Sequence, residues 1–173
     1  MAKKYNPNVV DNIKKLMRSL NHLELKSVYV GIPAEKTERD AGDDGDDGDD
    51  GPMNNATLGY IHEHGSPAAN IPARPFMEPG IKDGAPLIEK YLRQAGSLQI
   101  KGATQDKVDR QLHLAGLAAQ NAVRAVINAG VPPPLADSTL AARKRRGFKG
   151  EKSLIVTGQL RNAITYVVKE EEK

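Results

Sequence analysis

Apolar residues recur along this chain at two spacings, and each spacing predicts a different element. Val9 and Val10, Ile13, Leu16 and Met17, and Leu20 return every three or four positions, the period of a helix face. Asn6-Pro7 supplies an N-cap and a first helical residue, Asn21 a stop, and Lys14, Lys15 and Arg18 take the wet side. This helix is expected to lay one face on a sheet or on a neighbouring subunit. Over residues 27–32 (SVYVGI) the period changes to two. Val28, Val30 and Ile32 alternate with Ser27, Tyr29 and Gly31, which predicts a strand with one apolar face, ended by Pro33.

Residues 34–55 interrupt the pattern. Asp-Asp-Gly repeats three times there, a composition with nothing to bury, and predicts a flexible acidic insert. Residues 56–61 fit either a short helical turn or a strand. Pro72, Pro75 and Pro79 then stiffen residues 71–80, because each fixes its own φ and pushes the residue before it toward extended geometry. Such stiffness suits a loop that presents Arg74 and Phe76 in a set direction. A helix is expected from Pro86 to about Ala95, with Leu87, Ile88, Tyr91, Leu92 and Ala95 on one side, Asp83 as cap and Gly96 as its end; Gly84 counts against an earlier start.

The longest helix is expected over residues 104–128, from the N-cap Thr104 to Gly130 and the prolines behind it. Its stripe of Val108, Leu112, Ala115, Ala119, Ala122 and Val126 is rich in alanine and permits close approach of a neighbour, with His113 and Asn121 on the surface. A short helix over 139–146, capped by Asp137-Ser138, ends at Gly147. Near the C-terminus Thr157 would cap a turn in which Leu160 and Ala163 face inward. Ile164, Tyr166 and Val168 then alternate with Thr165 and Val167 as a second strand. Paired antiparallel, the two strands make an α+β fold: a small antiparallel sheet packed against a long helix, with additional short helices and an extended acidic loop. Residues 1–173 are expected to form a single domain, with 34–55 as the insert and 169–173 as a charged tail.

Composition narrows the function classes. The 173 residues are 39% hydrophobic and 4% aromatic with no Trp, so the core must be aliphatic and modest, and oligomerisation would help it. No Cys is present, which excludes disulfides, cysteine-ligated zinc and thiol nucleophiles, and fits synthesis in a reducing cytoplasm. The sequence has no apolar run long enough to span a membrane, and residues 1–8 (MAKKYNPN) lack the apolar stretch of a secretory signal. The net charge of +3 hides a segregation: residues 40–51 hold seven aspartates and no cation, so the rest of the chain carries +10. Arg143, Lys144, Arg145, Arg146, Lys149 and Lys152 bunch together, as candidate contacts to phosphates or to an acidic partner. The bland reading of that cluster is a solvated helix end that complements the helix dipole.

Catalytic motifs are absent from the sequence. No serine sits in a G-x-S-x-G elbow, and neither a P-loop nor a dinucleotide-binding glycine pattern occurs. His62-Glu63-His64 spaces its histidines two apart instead of four and reads as a surface or packed loop. Glu63 and Glu78 flank the proline loop without a visible cleft for paired-carboxylate work. The Asp-Gly repeats lack the alternating ligands and the closing Glu of an EF-hand loop. No enzyme activity, metal or cofactor is expected.

Residues 59–66 (GYIHEHGS) followed by 71–77 (IPARPFM) resemble the signature of tailed-bacteriophage virion-morphogenesis and tail-completion proteins, in which Y-x-x-x-E-x-G precedes P-x-R-P-F. Residues 154–166 (LIVTGQLRNAITY) are similar to that family's closing motif, as are 134–140 (PLADSTL) before the basic run. His64 stands where an aromatic is common, Val156 where an Asp often precedes Thr-Gly, and Ala163 where Ser is frequent. The resemblance implies a structural virion protein of the neck, made in the host cytoplasm, that joins the tail to the head. It implies a homo-oligomeric ring, often a hexamer, between tail-tube or terminator proteins and the head connector proteins; non-specific proximity to DNA is a reading of the basic cluster alone. The resemblance carries no catalytic residues. At the matching positions Arg74, Phe76, Thr157, Gly158, Leu160 and Arg161 are expected at interfaces: Arg74 on a neighbour's carboxylate, and Phe76 either in a neighbour's pocket or, with Leu160, in its own subunit's core. A tail terminator capping the tube, a basic nucleic-acid-binding module and a metal-dependent hydrolase through His62 and His64 are the competing readings.

Overall fold

In the computed structural model, residues 11–15, 17–18, 26–36, 38 and 54–170 are described. The order is α1 (helical at 11–15 and 17–18), β1 (Lys26–Gly31), a 3-10 turn (Ala34–Lys36), α2 (Asn55–His64), a second 3-10 turn (Pro67–Ala69), α3 (Met77–Ile100), α4 (Gln105–Ala129), α5 (Asp137–Arg145), α6 (Gln159–Ala163) and β2 (Thr165–Glu170). The fold is α+β. β1 and β2 form a two-stranded antiparallel sheet, with Val28 opposite Val168 and Val30 opposite Tyr166. The long helices α3 and α4 pack on each other and against that sheet.

The alternation of each strand decides which face is covered. Val28 and Val168 pack on Ala95, Val108 and Leu112 of the helix pair. Val30 and Ile32 pack on a larger cluster of Phe76, Val123, Ile127, Val131, Leu154, Leu160 and Ile164. Tyr29, which points the other way, is 50% exposed. At one end Lys26 is nearly covered and its Nζ lies 2.6 Å from Asp109 Oδ1 and 3.4 Å from Glu170 Oε1, which ties β1 to α4 and to β2. Burial by itself would lower its pKa, but the two carboxylates outweigh that and hold the ammonium above its ordinary 10.5.

Several expectations are corrected. α3 is far longer than residues 86–95: it starts at Met77 and carries Pro79, Gly80, Gly84, Pro86 and Gly96 within it. Gly80 and Gly84 mark contact with α4, and Gly96 does not end the helix. A Cβ on Gly80 would stand 2.5 Å from Val123 Cα, and one on Gly84 would stand 2.7 Å from Ala122 Cβ. The helix axes come close only because these positions have no side chain, and that packing offsets the helix-breaking tendency of Pro86. Leu87 and Leu92, expected inside, are 46% and 42% exposed.

α4 follows its expected range within one residue. Val108, Leu112, Ala115 and Ala119 are buried as expected, but beyond them the buried stripe passes to Val123 and Ile127, with Ala122 and Val126 half-buried. His113 and Asn121 are exposed as expected. α5 starts at Asp137, with Ala136 in the N-cap place, so neither Asp137 nor Ser138 caps it. α6 is entered through Gly158 at φ 84, a left-handed geometry that takes the capping place expected of Thr157. The described residues of α1 are all exposed, Ile13 and Met17 among them, and the rest of its expected apolar face lies outside the described residues. The Asp-Gly repeats and the 171–173 end of the charged tail lie outside the described residues. The two margins of the insert are regular: Ala34–Lys36 is a 3-10 turn, and Asn55 opens α2 with its Nδ2 donating to the Lys36 and Glu38 carbonyls.

Candidate functional site

Residues 56–61 resolve as helix. Asn54 caps α2, its Oδ1 accepting from the Thr57 amide at 2.8 Å, and Gly65 ends it at φ 78. A Cβ on Gly65 would meet the Ala73 amide nitrogen at 2.8 Å, so the returning chain needs glycine there. Ser66 and Ile71 exchange backbone hydrogen bonds across the 3-10 turn, closing a small loop. The proline segment then runs back along α2, with the Arg74 amide donating to the His62 carbonyl at 2.6 Å.

His62-Glu63-His64 is therefore the last turn of a helix, not a loop. Glu63 has a role that its sequence context did not announce. Its Oε2 accepts from the Phe76 and Met77 amides at 2.7 and 3.0 Å, and its Oε1 from the Glu78 amide at 3.3 Å. A carboxylate thus caps the N-terminus of α3 from another helix, satisfying amides that α3 leaves without intrahelical partners and meeting the positive end of its dipole. Among the described residues no three His, Asp or Glu side chains gather into a group that could hold a metal.

The stiff proline segment does set the direction of Arg74 and Phe76, and that direction is inward. Phe76 is 1% exposed, at the centre of the larger core cluster, and Leu160 is 4% exposed beside it. Both close their own subunit's core, and Leu160 also reaches the wall of the cleft beside it. Arg74 is 7% exposed. Its Nε donates to the Pro133 carbonyl at 2.9 Å and its Nη2 to the Pro134 carbonyl at 3.2 Å, where a neighbour's carboxylate was expected.

Those contacts close one side of a cleft of about 470 Å3. The proline arm contributes Ile71, Pro72 and Arg74; the segment into α5 contributes Leu135, Thr139 and Arg143; the turn into α6 contributes Val156, Thr157, Gly158 and Leu160. Leu58 and His62 of α2 complete the wall. Three stretches far apart in sequence therefore converge on one site, and Arg74, Thr157, Gly158, Leu160 and Arg143 all line it. Arg161 lies beside it, bonded through Nη1 to Asn128 Oδ1 at 3.0 Å.

The basic cluster divides. Arg143 turns inward, and its Nη1 donates to the Gly150, Lys152 and Ile155 carbonyls at 3.1, 2.9 and 3.1 Å, bracing the loop between α5 and α6. Burial, and then the charge of Arg74, lower the Arg143 pKa below its ordinary value. Lys152 also turns to the protein, donating to the Asn128 carbonyl. Arg146 lies over the Phe148 ring at 5.4 Å. Lys144, Arg145 and Lys149 are exposed, Lys144 and Lys149 along a groove beside Phe148. Only part of the run is thus available to phosphates or to an acidic neighbour.

No protein-family model, curated protein or solved structure matches this chain. The candidate site is an apolar-walled cleft with two guanidiniums, built at the junction of the proline arm, α5 and the turn before α6. Among the described residues no helix is long and apolar enough to cross a membrane.

Proposed function

We propose that the chain is a structural subunit of a tailed-bacteriophage particle, a tail-completion or neck component that joins the tail to the head. The convergence of the three resembling stretches on one cleft is the observation that carries this reading. Residues 71–77, 134–140 and 154–166 are separated along the chain, and a shared site gives one physical reason for their joint occurrence.

Assembly as a homo-oligomeric ring belongs to the same proposal. Ile13, Met17, Tyr60, Ile81, Leu92 and Ile100 are exposed large apolar side chains, and neighbouring copies or the tail and connector proteins would cover such surface. The test is genetic and visual. Deleting the gene should leave filled heads and tails unjoined under the electron microscope. Joined, infectious particles without the protein would end the proposal, and overlong tails would assign it to terminating the tube.

A further inference from the structure

The cleft places two cations together. Arg74 and Arg143 both line it, and Arg74 is more than nine-tenths buried. Among the described residues neither guanidinium meets a carboxylate: Arg74 donates to the Pro133 and Pro134 carbonyls, and Arg143 to the Gly150, Lys152 and Ile155 carbonyls. Glu151, in the groove on the other side of Arg143, forms no ion pair with it. Carbonyl dipoles solvate these groups without neutralising them. Two like charges sharing a partly dry cavity repel; burial first, and then the charge of Arg74, lower the Arg143 pKa. An entering anion would relieve that repulsion, and Arg74 Nη1 with Arg143 Nε and Nη2, which take no part in those bonds, are left to donate to the oxygens of a carboxylate.

The walls decide which anion. Leu58, Ile71, Leu135, Val156 and Leu160 line the cleft around the arginines. A phosphate group is hydrophilic on every side and would leave these apolar walls uncovered. A carboxylate beside an aliphatic side chain would satisfy both. We propose that the cleft docks a segment of a partner protein that carries a carboxylate next to an aliphatic side chain. This rests on the assembly reading for the identity of the partner, and names the chemistry by which that partner is held.

The test uses the full chain labelled with nitrogen-15, and the Nε–H resonances of Arg74 and Arg143. N-acetyl-leucine is the probe, with N-acetyl-leucinamide and inorganic phosphate as comparisons. Saturable shifts of both resonances by N-acetyl-leucine, at least about tenfold weaker with the amide and with phosphate, are expected. Val156→Trp, which fills the cleft at its exposed rim and leaves both arginines in place, should abolish them while the circular dichroism melt stays cooperative. Where that variant does not fold, Thr139→Trp takes its place. Equal or tighter saturation by phosphate would overturn the carboxylate segment in favour of a phosphate ligand. Shifts unaffected by filling the cleft, or no saturable shift by N-acetyl-leucine up to tens of millimolar, would also overturn it. These outcomes are independent of the deletion phenotype, so the docking chemistry and the neck assignment fail separately.

Discussion

The ring of Tyr166 in β2 lies directly on Gly116 of α4. A Cβ on Gly116 would overlap the ring at Cγ and Cδ2, the part of the side chain nearest the backbone and least able to swing away. His113, one turn earlier, meets the same ring edge-on with 5.8 Å between centroids. The sheet is seated on α4 through this contact, and glycine is the residue that admits it.

Three glycine substitutions should therefore differ in sign. Gly116→Ala should destabilise by about 1–3 kcal/mol, the usual cost of overpacking, despite the better helix propensity of alanine. Gly80→Ala should cost at least as much, because its Cβ would meet the α4 backbone at Val123. Gly96→Ala points into open space and should stabilise by about 0.8–1 kcal/mol. Urea denaturation of the three variants checks this, and a uniform response would refute the close-approach account of α3 and α4.

Glu63→Ala should destabilise by about 1–3 kcal/mol, since three amides at the start of α3 lose a charged acceptor. Faster amide exchange at Phe76, Met77 and Glu78 than at mid-helix positions is the diagnostic. Unchanged exchange there would show that the cap contributes nothing.

The Lys26 ammonium links β1 to Asp109 and Glu170. Its folded pKa is raised above 10.5, so its contribution is fully present below that value and is lost as the pH climbs through the raised one. The melting temperature of the native chain should fall more steeply above about pH 10.5 than that of Lys26→Met. Parallel curves for the two would remove the ion pair from the stability account.

Arg124 holds the entrance to β2. Its Nε and Nη2 donate to the Ile164 carbonyl at 3.1 and 2.7 Å, and its Nη2 also reaches the Asn162 carbonyl at 3.2 Å. Lysine cannot reproduce this fork, so Arg124→Lys should cost about 1–2 kcal/mol and increase amide exchange in β2. A native-like exchange profile in the lysine variant would contradict that role.

The elements legible in the sequence are those whose signal is local. Alternation over residues 27–32 and 164–168 gave both strands and their pairing, and the long stripe closed by Gly130 gave α4. Residues 56–61 were too short for their period to separate helix from strand. α3 was concealed because proline and glycine are read as breakers on local grounds, whereas Pro86 is tolerated and Gly80 and Gly84 are required by a helix remote in sequence. Arg124 and Glu63 carry no local mark at all, since their partners lie 40 and 13 residues away.

By itself, then, the sequence determined the α+β class, the antiparallel pairing of its two strands, the segregation of charge and the stiffness of the segment around Arg74 and Phe76. Periodicity, composition and proline geometry are properties of neighbouring residues, and they need no fold to be read. Only the tertiary structure decided that this stiff segment turns inward, that α3 runs unbroken past Pro86, and that the stretches bearing Arg74, Arg143 and Gly158 meet around one cleft. Those outcomes depend on which distant surfaces come into contact, and contact at long range is where packing outweighs local preference.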